Sequence, residues 1–138
     1  MPALNYTKAS LRFLGDDLVP SEISFLLGQL PTQSEIKNNI RVGKATGQKR
    51  PAKSGGWRLK APTQTDGDLD AQISALLGQL TNDLTVWRDL TARYKADVFC
   101  GLFLNTGADG LTMQPSTLQM LGDRGLKLEI CIYEPSDD

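Results

Sequence analysis

Any chemistry done by this chain has to be done without imidazole, because its 138 residues include no histidine. That removes Ser-His-Asp and Cys-His nucleophile activation, His-ligated metals and an imidazole pH switch. Carboxylates are the remaining acid–base candidates, chiefly Asp16 and Asp17 with Glu22 close behind, and Asp109. Such a pair could share acid and base roles or hold a cation. The same residues at a strand-to-helix turn serve turn geometry and the helix dipole, and that is the reading preferred. Two thiols, Cys100 and Cys131, are too few for a cysteine zinc site or a disulfide framework. Cys100 sits among Phe99 and Leu102 with no activating base, so it reads as a buried structural thiol. Cys131 alternates away from the apolar face of its strand and is the more reachable of the two. Gly43-Lys44-Ala45-Thr46 has the look of a phosphate-loop ending, but Asn38 stands where the first glycine belongs and no apolar strand precedes it. No side chain is therefore assigned to catalysis, a metal or a cofactor.

Charge gives the clearest departure from ordinary composition. Lys37, Arg41, Lys44, Lys49, Arg50, Lys53, Arg58 and Lys60 fall in a stretch with no acid between Glu35 and Asp66. The formal net charge of -1 thus hides a basic block set in an acidic remainder. Such a block binds an anion or complements acidic protein surface. Trp57, inside Ser54-Gly-Gly-Trp-Arg-Leu-Lys60, could stack on a ligand ring, although it shares parity with Leu59 and Ala61 and so suits packing beneath a helix. The candidate binding residues are Arg12, Lys49, Arg50, Lys53, Trp57, Arg58 and Lys60.

The elements that must hold these side chains follow from periodicity. Residues 6–14 alternate, with Ala9, Leu11 and Phe13 on one face and Lys8, Ser10 and Arg12 on the other, which predicts a half-buried strand. Pro20 opens a helix whose Ile23, Leu26, Leu27 and Leu30 form one stripe, with Gly28 as a left-handed cap and Pro31 as a stop. Residues 32–56 read as a long irregular basic segment, with poor strands near 40–45 and 48–52. Trp57 to Ala61 alternate as a second strand. A helical stripe then runs from Leu69 to Tyr94. One straight helix of that length would reach about 39 Å at 1.5 Å per residue, so a break is expected at Thr81-Asn82-Asp83, which offers an internal N-cap. Asp97 to Leu104 is apolar on both faces and reads as a central strand. Pro115 opens a short helix with Leu118 and Leu121 expected inward. The last strand alternates Leu126, Leu128, Ile130 and Ile132 with Lys127, Glu129, Cys131 and Tyr133.

An octapeptide recurs: Ile23-Ser-Phe-Leu-Leu-Gly-Gln-Leu30 and Ile73-Ser-Ala-Leu-Leu-Gly-Gln-Leu80 match at seven positions with an offset of fifty residues. A strand precedes each copy, which would suit a duplicated strand-helix unit with pseudo-twofold symmetry. The simpler explanation is that Leu-Leu-x-x-Leu is common wherever a helix packs on a sheet.

Several stretches carry a family resemblance. They are Leu11-Arg12-Phe13, Gly15-Asp16-Asp17-Leu18, Pro20, Glu22-Ile23, Leu27-Gly28, Pro31-Thr32, Gly56-Trp57-Arg58-Leu59, Asp97-Val98-Phe99-Cys100-Gly101 and the alternating end at Ile132-Tyr133. Together they resemble a bacterial family known only as domain of unknown function 4279, over nearly the whole chain. The resemblance implies one small α/β domain and carries no activity with it. Val19 replaces an acidic residue before Pro20, and Gln114 a small hydroxyl residue before Pro115; both weaken an N-cap.

The fold expected is α+β, a single domain over residues 1–138. Its four- or five-stranded mixed or antiparallel sheet carries helices on one face, in a ferredoxin-like layout with split β-α-β connections. The opposite face would then show Lys8, Arg12, Arg58, Lys60, Glu129, Cys131 and Tyr133, joined by Phe99 and Phe103 if Asp97 points outward. Residues 32–56 or another chain would cover it. No export signal or spanning segment is visible, and reduced thiols suit the cytoplasm. The function expected is a non-catalytic binding or interaction module, with a protein partner such as an immunity-type target, or a homodimer. The alternatives are an anion or nucleic-acid binder through residues 37–60, and a small carboxylate-based enzyme. The RNA-recognition signature strand is missing, which weighs against nucleic acid.

Overall fold

Period-two alternation at the start of the chain builds β1 (Tyr6–Gly15), which becomes the middle strand of the sheet. A computed structural model describes residues 6–42, 49–51, 53–62, 67–104 and 110–134. After β1 come α1 (Pro20–Leu27), β2 (Gln33–Glu35), β3 (Ile40–Val42), β4 (Lys49–Pro51), β5 (Gly55–Lys60), α2 (Leu69–Gly78), α3 (Leu84–Arg93), β6 (Lys95–Phe103), α4 (Pro115–Asp123) and β7 (Lys127–Tyr133). The main sheet has the order β2-β5-β1-β6-β7, and β3 pairs with β4 in a separate hairpin. β5 and β6 both run antiparallel to β1, so they run parallel to each other on its two sides. The helical connection between them makes a split β-α-β unit, and β6-α4-β7 adds a parallel pair. The sheet is mixed, five-stranded and covered by helices on one face, as the alternation predicts.

The core lies between that face and the helices. Leu11 and Phe13 of β1, Trp57 of β5, Val98 and Cys100 of β6 and Ile73, Leu76 and Leu77 of α2 are all buried. Each large apolar side chain so removed from water contributes about 1.5–3 kcal/mol. Phe13 meets Trp57 edge-on at 5.9 Å and stacks on Trp87 at 6.2 Å. Both buried indoles keep a partner for N–H, Trp57 donating to Ser24 Oγ at 3.0 Å and Trp87 to the Thr81 carbonyl at 2.8 Å.

The expected helix break is present between α2 and α3. Asp83 caps α3 by accepting from the Thr85 amide at 3.0 Å, and Asp68 caps α2 from Ala71 at 3.1 Å. Gly28 ends α1 at φ 81°, a conformation that costs a side chain but not glycine. Val19 and Gln114 provide no side-chain cap to α1 and α4.

The repeated octapeptides fall on α1 and α2, which exchange strands: α1 packs against β5 and α2 against β1. Two pairs of residues fifty apart in sequence meet each other. Ser10 and Lys60 are partners in the β1–β5 register, and Gln29 Nε2 donates to Gln79 Oε1 at 3.0 Å. Both contacts are ones that a local twofold between β1-α1 and β5-α2 would produce, and the crossed packing of α1 on β5 and α2 on β1 has the same sense.

Three local expectations need correction. β2 lies in the segment read as irregular, because Gln33-Ser34-Glu35 has no apolar alternation and gains its strand by pairing with β5. In α4 the inward positions are Thr117 and Leu121, while Leu118 is 49% exposed. Ile130 has helix-side parity, but β7 is an edge strand and the side chain stays 44% exposed.

Candidate functional site

The face of the sheet turned away from the helices is the place where the candidate residues gather. Parity puts alternate residues of all five strands there, and the register orders them in rows. One row runs Gln33, Arg58, Arg12, Asp97, Lys127, with one residue from each strand. The next holds Lys60, Ser10, Phe99 and Glu129; beyond it lie Lys8, Gly101 and Cys131, then Tyr6, Phe103 and Tyr133.

Arg12 is the centre of the first row. Its Nε donates to Asp97 Oδ1 at 2.8 Å and its Nη2 to Asp97 Oδ2 at 2.7 Å, a two-pronged pair in which both side chains are about one-fifth exposed. The guanidinium also lies 4.5 Å from the centre of the Phe99 ring. The hydrogen bonds to Asp97 raise the Arg12 pKa above its ordinary value, against the desolvation that lowers it. Two concavities flank Arg12 and Leu14. One of about 210 Å³ reaches Gln33, Glu35 and Arg58; the other, of about 420 Å³, reaches Tyr94, Lys95, Lys127 and Glu129.

The last row is an aromatic ladder. Phe103 stacks on Tyr6 at 4.4 Å on one side and on Tyr133 at 4.5 Å on the other. Lys8 Nζ lies 5.3 Å from the Tyr6 ring and 5.8 Å from Phe103. Gly101 makes room for this arrangement: a Cβ there would stand 3.2 Å from Phe103 and 3.5 Å from Tyr133. The Cys131 thiol, hydrogen-bonded to Tyr133, raises that phenol's pKa, while Lys8 pulls it down.

The sequence candidates separate on this frame. Arg12, Arg58 and Lys60 share the open face. Trp57 points the other way and is 1% exposed, its ring enclosed in the core. Lys53 is exposed next to β5, and Lys49 and Arg50 lie on β4, their side chains outside the described residues. Asp16 is paired with Lys37 Nζ at 3.0 Å, and Glu22 with Arg93, which also holds Asp89 at 3.1 Å. Gly43 to Thr46 and Asp109 lie outside the described residues. Among the described residues no group of three or more acidic or cysteine side chains is placed to hold a metal. Cys100 is buried, and burial, helped by nearby Asp97, pushes its thiol up to about 12. Sequence reasoning misses Tyr6, Leu14, Lys95 and the whole β2 contribution, although the parity of β1 already places Tyr6 and Leu14 opposite the core.

Residues 5–135 match the sequence pattern of the family described as a domain of unknown function, DUF4279. The chain belongs to that family. The match spans both layers of the DUF4279 fold described above, from β1 through β7, including every row of the open face. No curated protein and no solved structure matches it.

Proposed function

We propose that this protein is a non-catalytic binding module, acting in the cytoplasm, that docks an acidic protein partner on its open sheet face. One observation carries the reading: the five-strand row of Gln33, Arg58, Arg12, Asp97 and Lys127, laid on a face with no second layer over it among the described residues. Among the described residues Lys8, Arg12, Arg58, Lys60, Lys95 and Lys127 outnumber Glu35, Asp97 and Glu129 there, although the whole chain is slightly acidic. Such a local excess steers an oppositely charged partner and fixes its register. The locked Arg12–Asp97–Phe99 unit supplies a rigid centre, and rigid centres lose little entropy on binding. An immunity-like role, in which the chain covers the working surface of a toxin, is one concrete form of this proposal. Two free thiols support the cytoplasmic placement, and no helix among the described residues is long and apolar enough to cross a membrane.

A polyanion is the second reading, because among the described residues no carboxylate pairs with Arg58 or Lys60. Base stacking gains little support, since both faces of Phe103 are already filled by Tyr6 and Tyr133. The test is recovery of a stoichiometric protein complex, repeated with the double variant Arg58→Glu, Lys60→Glu. Both side chains are at least partly exposed, so folding should survive. Loss of the complex with an unchanged melting temperature supports the proposal. A complex indifferent to the double reversal sinks it. Heparin binding that weakens steeply with salt, with no protein complex, would favour the polyanion instead.

A further inference from the structure

The two edges of the sheet are built differently. β2 is three residues long and polar. β7 runs seven residues in unbroken register with β6, from Asp97–Lys127 to Phe103–Tyr133, and among the described residues it has a neighbour on one side only. Its helix-side residues Leu128, Ile130 and Ile132 are apolar, with Ile130 44% and Ile132 62% exposed. The Tyr133 carbonyl accepts from the Leu104 amide, so Tyr133 and every second residue before it turn their main-chain groups toward β6. Leu128, Ile130 and Ile132 therefore turn theirs outward. Among the described residues no strand pairs with these donors and acceptors, and they lie beside exposed apolar side chains, the combination that templates another strand.

We infer that β7 pairs antiparallel with β7 of a second copy of this chain, about a twofold axis at Ile130. This goes beyond the binding face proposed above, because it uses the strand edge and joins two such faces into one continuous sheet. Complementarity selects the second copy. Leu128 comes opposite the second copy's Ile132 and Ile130 opposite its Ile130, and these outward-turned pairs exchange their main-chain hydrogen bonds. On the open face Lys127 comes opposite the second copy's Tyr133, whose far ring face Phe103 leaves free, and Glu129 comes opposite its Cys131. No like charges are set directly against each other. Sliding the register two residues toward the N-terminus would oppose Glu129 to Glu129, which disfavours that slip.

Sedimentation equilibrium of the full chain over a concentration series tests the inference, beside Ile130→Lys, which sets two ammonium groups on the axis. Disulfide trapping in a Cys131→Ser background tests the register without relying on that variant: Ile130→Cys alone, Ile132→Cys alone, and Leu128→Cys mixed with Ile132→Cys. We expect a concentration-dependent doubling of mass in the natural chain and a folded monomer in Ile130→Lys, whose melting temperature no longer depends on concentration. Links should form for Ile130→Cys and for the mixture but not for Ile132→Cys alone. A natural chain that stays monomeric throughout, a dimer that survives Ile130→Lys, or equal trapping of Ile132→Cys alone and Ile130→Cys would overturn it. None of these readings depends on an acidic partner, so they stand apart from the fate of the charge-reversal test.

Discussion

Arg12 and Asp97 face each other across the β1–β6 ladder, joined by two hydrogen bonds of 2.8 and 2.7 Å, with the arginine plane resting on Phe99. Only a planar fork can make both contacts at once, so lysine is a poor substitute. We expect Arg12→Lys to cost about 1 kcal/mol, a modest figure because both side chains are partly exposed and screened. Asp97→Asn should cost a similar amount, and the double variant less than the two together. Denaturant unfolding of the cycle measures this. Additive losses would show that the pair is a surface contact without coupling.

The open face is largely legible in the sequence, because strand parity is a strong signal where one side is buried. Alternation alone places Arg12, Arg58, Lys60, Cys131 and Tyr133 on it. Asp97 as the partner of Arg12 is not legible, since pairing register depends on contacts eighty-five residues apart. β2 is illegible for another reason: its pairing is made by main-chain groups, and Gln33-Ser34-Glu35 has no apolar signature. The exposure of Ile130 escapes because alternation reports which way a side chain points and not whether a helix reaches it. Lys49, Arg50 and the centre of the basic block stand out on composition, which fixes charge but not position.

Two helices start without a side-chain cap. Val19 precedes α1 and Gln114 precedes α4, both with extended backbone of the kind an N-cap residue adopts. Val19→Asp and Gln114→Ser should each stabilise the fold by about 0.5–1 kcal/mol, by accepting a free amide of the first turn. Val19 is 46% exposed, so little packing is lost. Thermal melts of the single variants decide the matter, and a fall in melting temperature would mean that the chain enters these helices at an angle no cap can use.

Thr7 and Gln72 form the buried polar joint between β1 and α2. The Thr7 hydroxyl donates to Gln72 Oε1 at 2.6 Å and accepts from the Gly67 amide at 3.0 Å, while Gln72 Nε2 donates to the Thr7 carbonyl at 3.1 Å. Thr7→Val leaves a buried amide oxygen and a backbone N–H unmatched, at a cost of about 1–3 kcal/mol. Adding Gln72→Leu to it removes the stranded oxygen, so the double variant should lose less than the sum of its parts. Full additivity in urea unfolding would show that water enters the joint and replaces the missing partner.

The two thiols should behave as different chemical species. Cys131 is partly exposed and Cys100 is completely buried, so a thiol reagent should label Cys131 in the native protein and Cys100 only on unfolding. Burial pushes the Cys100 thiol from 9.0 up to about 12, with Asp97 adding to the shift. The folded form therefore holds its proton where the unfolded chain gives it up. The stabilisation is complete below about pH 9 and drains away as pH rises toward 12, because there the unfolded state binds fewer protons. Tyrosines and lysines titrate in the same window, so the reading is a difference between two proteins. Cys100→Ala should lower stability at neutral pH through the cavity it leaves, yet lose less further stability than the natural chain between pH 9 and 12. Parallel stability–pH curves for the two proteins would mean that the buried thiolate is tolerated, and that the β6 strand opens to water more readily than its packing indicates.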